Sequence, residues 1–134
     1  MKKRICFLQI ILLASLLTSC IDREIIDAKD GISLPAVSEL RSSLNGDEVN
    51  IQWSNPSQIP DLIRRPHSVY IQVYKGSTLE YQIALGDEPT SWTYTLAEPE
   101  LKYRVIVKTL GWLKEKPYGE SDEIYSLGQT IAVN

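Results

Sequence analysis

The chain has 134 residues, a one-domain length, and 17 acidic against 14 basic side chains leave a net charge of −3. That balance excludes a general nucleic-acid binder, because phosphate binding needs a concentrated positive field. Hydrophobic residues make up 43% of the chain and seven are tyrosines, so it can bury a core and does not read as disordered.

Lys2, Lys3 and Arg4 precede an apolar run from Ile5 to Leu17. As a helix that run spans roughly 20 Å, short of the roughly 30 Å hydrocarbon core. With its basic start and the small residues after it, it reads as a cleaved signal rather than a membrane span. Leu17-Thr18-Ser19-Cys20 closes the run. This stretch resembles the lipobox of bacterial lipoproteins, in which a branched apolar residue and two small residues precede an invariant cysteine. The resemblance implies that residues 1–19 are removed as a signal peptide and that Cys20 is acylated, palmitate included, at the mature N-terminus. Several acyl chains anchor a protein stably where one holds it only reversibly. The implied location is the cell envelope, at the outer membrane. Loss of the three leading cations leaves 11 of the 14 basic residues against 17 acidic ones, a net charge of −6. Cys6 leaves with the signal peptide, so no disulfide remains and the core alone must hold the fold.

Residues 20–33 carry mixed charges without a period-2 pattern and read as a lipidated tether. Fully extended, the thirteen residues after Cys20 reach roughly 40 Å. Asp22 and Glu24 stand where lipoprotein sorting machineries read, and they equally keep the tether soluble.

From Leu34 to residue 134 short alternating runs are broken by turn residues, the signature of strands. Leu34–Leu40, with Pro35, predicts an edge strand. Asn45-Gly46-Asp47 predicts a tight hairpin turn. Val49, Ile51 and Trp53 alternate with polar residues as the next strand. Pro56, Pro60 and Pro66 make residues 54–68 a loop, with room for one helical turn at Asp61–Arg64. Val69, Ile71 and Val73 predict an inward face with Tyr70, Gln72 and Tyr74 outward. Leu79 to Leu85, Trp92 to Leu96 and Leu101 to Val107 continue the pattern. Residues 111–121 read as a loop. The last strand, from Glu123 to Val133, is interrupted by Gly128, which predicts a bulge or a bend.

Seven strands at this spacing predict an all-β, two-sheet sandwich. Val49-x-Ile51-x-Trp53-x-x-Pro56 and Pro99-Glu100-Leu101-Lys102-Tyr103-Arg104-Val105-x-Val107 resemble the second strand and the start of the sixth strand of a fibronectin type III domain. The resemblance implies that Trp53 is central and that Tyr103 is a corner tyrosine whose hydroxyl bonds backbone near the preceding turn. Trp92, Tyr94 and Tyr81 are expected in the core. Small lipoproteins of Gram-negative gut anaerobes are similar to this arrangement.

No nucleophile or metal motif is present, so no enzyme activity, cofactor or metal is expected. The single histidine, His67, is expected to be exposed on the proline-rich loop. Two surfaces carry binding candidates. In the type III arrangement the loops bearing Arg64 and Arg65, Asp87 and Glu88, and Trp112 and Tyr118 meet at one end. Trp112 and Tyr118 on a loop could stack on a sugar or anchor a protein. Burial of Trp112, or a flat apolar sheet face, would favour packing as an accessory subunit instead. The first strand starts at the same end, so the tether would leave from it. The second surface is an outer sheet face carrying Tyr70, Tyr74 and Arg104, tyrosines beside cations as in protein-binding patches. The expected role is a membrane-anchored binding or adhesion module for a protein or glycan, or else a structural accessory subunit of an envelope assembly.

Overall fold

The computed structural model describes residues 32–133. The expected signal peptide, lipobox and tether through residue 31 lie outside the described residues. The chain forms β1 (Ser38–Asn45), β2 (Glu48–Ser54), β3 (Ser68–Lys75), β4 (Thr78–Leu85), β5 (Ser91–Thr95), β6 (Tyr103–Trp112), β7 (Glu123–Tyr125) and β8 (Gln129–Val133). These make two antiparallel sheets, β1-β2-β5 and β4-β3-β6-β7, with β8 also paired to β6. The expected all-β sandwich is present. Its seventh strand is split in two at residues 126–128, where the Ser126 N–H still donates to the Thr109 carbonyl at 2.9 Å, and both halves pair with β6. The room for a helical turn at Asp61–Arg64 is taken by a tight turn, in which the Ile63 N–H donates to the Pro60 carbonyl at 2.9 Å.

Period-2 alternation explains the core. Val49, Ile51 and Trp53 of β2 face Val69, Ile71 and Val73 of β3 and Tyr103, Val105 and Val107 of β6 in one buried cluster. The hydroxyl of Tyr103 accepts the Glu98 N–H at 3.2 Å, so the expected corner is formed. A second apolar cluster of Leu34, Ile63, Leu113 and Ile124 seals the loop end.

The first strand begins later than expected. Leu34 and Val37 are buried, but the ladder runs only from Ser38, through to Asn45. Glu39 has φ 53° and the pairing with β2 shifts between Ser38 and Arg41. That bulge adds one residue to β1, so Val37 and Leu40 both reach the core despite their odd spacing. A two-residue turn led by Gly46, at φ 66°, joins β1 to β2.

The other outer strands are irregular too. β4 carries an extra residue, Glu80, where its pairing with β3 shifts. β5 has five residues. At Gly128 the chain passes so close to β6 that a Cβ would sit 2.6 Å from Cγ2 of Ile106.

Trp92 and Tyr94 are partly buried and pack against the main core, as expected, whereas Tyr81 lies outside it. The three rings close the open edge between β4 and β5, which belong to opposite sheets, with ring centroids 5.3–5.9 Å apart. Trp92 and Tyr94 are half-buried and Tyr81 remains 40% exposed. Burial, with donation of the Tyr94 hydroxyl to Glu80 at 3.1 Å, pushes the Tyr94 pKa up to about 12.

Candidate functional site

The sandwich brings the three expected loops together at one end. The Arg64 N–H donates to the Trp112 carbonyl and the Lys114 N–H to the Leu62 carbonyl, both at 2.8 Å. Arg65 Nε donates to Oε1 of Glu88 at 2.6 Å, and Arg64 lies 3.8 Å from Asp122. Both candidate arginines are therefore matched with carboxylates of neighbouring loops. The hydrogen bond from Arg65 is the main reason that the Glu88 carboxyl lies below its usual range.

His67 is not exposed. It is fully buried, and its Nδ1 lies 3.1 Å from the same Glu88 oxygen. A carboxylate only accepts, so the neutral ring carries its hydrogen on Nδ1. Burial lowers the His67 pKa, against the opposing pull of Glu88. Trp112 is not a loop residue either. It ends β6, pairs with Glu123 and is half-buried, because the ladder continues past the point where Gly111 suggested a loop. Tyr118 is fully exposed. The loop end is thus held as a clasp of backbone bonds and neutralised charges.

The sheet face is different. Val69, Ile71 and Val73 are completely buried, so Tyr70, Gln72 and Tyr74 point outward in the expected register. Across the β3–β6 ladder Tyr70 stands opposite Lys108, Gln72 opposite Ile106, and Tyr74 opposite Arg104. The Arg104 guanidinium lies over the Tyr74 ring, 4.9 Å from its centroid, a cation–π contact. The Tyr70 hydroxyl donates to Gln82. The flanking strands add Gln82 and Ala84 from β4 and Thr130 and Ala132 from β8. No carboxylate stands at these ten positions, and their charges are Arg104 and Lys108, neither of which forms an ion pair among the described residues. At one margin the Tyr125 ring meets Tyr70 edge-on, with centroids 5.3 Å apart. The Tyr125 hydroxyl donates to Glu123 at 3.1 Å, and burial followed by that bond raises its pKa.

A groove of about 530 Å³ adjoins the face, between residues 32–36 and the β7–β8 break, with Lys108 and Leu127 on its lining. Tyr125 and this groove were not visible in the sequence. The available signal was the short alternation Glu123-Ile124-Tyr125-Ser126, in which Ile124 and Ser126 are buried.

Thus Tyr70, Tyr74 and Arg104 share one surface, whereas Trp112, Tyr118, Arg64 and Arg65 lie at the loop end. Among solved structures the chain is similar to the solution structure of the fibronectin type-III domain of human fibronectin type III domain containing protein 3. The identity is 14%, the match covers 79% of this chain and 91% of that one, and the TM-score is 0.47. No curated protein matches. A family described as "Domain of unknown function (DUF4945)" matches residues 20–133, and the chain belongs to that family.

Proposed function

We propose that the chain is a lipid-anchored, non-enzymatic binding module of the cell envelope that engages a partner through the outer face of β4-β3-β6-β8. The observation that carries this reading is the tyrosine and cation face, with Tyr70 opposite Lys108, Tyr74 opposite Arg104 and no carboxylate between them. Tyrosine and arginine are enriched at the centres of protein interfaces because they bury large areas and keep a polar handle. Two further points support the anchored form. The family match begins at Cys20, the residue the lipobox would make first. Ile32 packs against the loop-end cluster of Leu34, Ile63 and Leu113, so a tether preceding it would leave from the loop end. The sheet face would then stand side-on to the membrane and clear of it.

The accessory-subunit reading is favoured by Trp112, which sits half-buried in β6 rather than free on a loop. A photo-crosslinking residue at Ile106 of the full chain, in intact cells, tests both readings. The expected result is a discrete adduct from position 106 and none from Leu62 or Thr93, which lie on other surfaces. A stoichiometric adduct with one polypeptide supports the subunit reading, and a mixed population supports ligand capture. Adducts from Leu62 but not from position 106 would overturn the assignment of the face.

A further inference from the structure

The geometry points to a carboxylate-bearing protein surface as the partner of this face, with its acidic side chains seated on Arg104 and Lys108. The inference rests on the binding reading above and adds the chemistry of the partner. The first argument is charge. The chain as a whole is acidic, with 17 acidic against 14 basic residues. Its arginines at the loop end are matched with carboxylates, as is Lys75, which reaches Glu98 at 2.6 Å and Glu80 at 3.7 Å. Arg104 and Lys108, like Arg41, Lys102, Lys114 and Lys116, form no ion pair among the described residues, but these two share one face whose facing positions carry no carboxylate, and a potential of one sign selects the opposite sign in a partner.

The second argument is preorganisation. Arg104 lies over the Tyr74 ring, which holds the guanidinium plane and limits the freedom lost when its N–H groups meet a carboxylate. Lys108 stands four residues along the same strand, about 14 Å away at about 3.4 Å per residue. Residues four apart on an extended strand of a partner match that spacing on one face.

The third argument separates a protein from a glycan. A pyranose ring stacks on a free aromatic face, but Arg104 covers one face of Tyr74, and Tyr125 packs edge-on against Tyr70. The β3–β6 pairing beneath the face runs without a register shift, and of the ten face positions only Lys108 also lines the concave groove beside it, whereas small-ligand sites are concave.

The test uses the full chain in detergent micelles with two probes, fluorescein-labelled poly-L-glutamate and polygalacturonate of matched charge. Poly-L-glutamate is expected to bind, and the pair Arg104→Gln with Lys108→Gln to weaken it by roughly tenfold or more. The pair Lys114→Gln with Lys116→Gln removes the same charge from the loop end and should change binding by less than about twofold, since screened charges act only locally. Circular dichroism confirms that both pairs remain folded. Tighter binding of polygalacturonate, lost with Arg104 and Lys108, overturns the protein assignment and leaves the binding face standing. Equal loss in both pairs, or no binding of poly-L-glutamate, overturns the charge argument. The crosslink from Ile106 reports on the face independently of either polymer.

Discussion

His67 and Arg65 share a single carboxylate oxygen of Glu88. The arrangement ties the start of β3 to the turn before β5, where Asp87 and Glu88 both have positive φ. Its pH dependence has a definite sign. Burial lowers the folded pKa of His67 below 6.5, so on acidification the unfolded chain takes up a proton before the folded one does. The stability linked to His67 is therefore full above pH 6.5 and falls as pH drops below it. The Glu88 carboxyl is also lowered, mainly by Arg65, and its contribution is lost as pH falls below 4.5. Urea midpoints measured from pH 7.5 down to 5.5 should decrease in the wild type, and His67→Phe should flatten that decrease. An equal slope in the variant would remove His67 from the account. The burial of His67 was legible in part. The inward positions 69, 71 and 73, extended one step back, reach 67. The three preceding prolines hid that step, because they mark a loop whether or not its last residue turns inward.

At the scale of elements, alternation located the central strands well, because β2, β3 and β6 bury one face completely and cover most of the other only partly. It located the outer strands less well. β1 has few apolar residues, with Ser42 and Ser43 in mid-strand, and its bulge breaks the period that would reveal it. The break between β7 and β8 was legible through Gly128, and the close approach to Ile106 gives the reason for a glycine there. Gly128→Ala should force Ile106 or the backbone to move and cost about 1–3 kcal/mol, as overpacking does. Chemical denaturation measures that loss. Unchanged stability would show that the β7–β8 break can shift freely.

For the whole molecule, the sandwich and its loop end could be read from turn spacing, but the choice between candidate surfaces could not. Arg64, Arg65 and Trp112 looked available in sequence because their partners, Asp122, Glu88 and the β7 strand, are distant along the chain. Tyr70, Tyr74 and Arg104 kept their outward positions because the burial of Val69, Ile71 and Val73 sets the register. Cys20→Ala should abolish acylation and move the protein from the membrane pellet to the soluble or unprocessed fraction, as fractionation with mass spectrometry would show. A lipidated variant in the pellet would refute the anchor. Anchoring would also confine copies to a plane and raise their mutual encounter rate. Under that confinement, the outer strands β1, β5, β4 and β7–β8, each unpaired on one side, would invite a neighbour to add a strand. The extra residues of β1 and β4, the shortness of β5 and the break before β8 leave no long straight edge to template such growth. Crowded domains of this kind can then lie shoulder to shoulder without fusing into a continuous sheet.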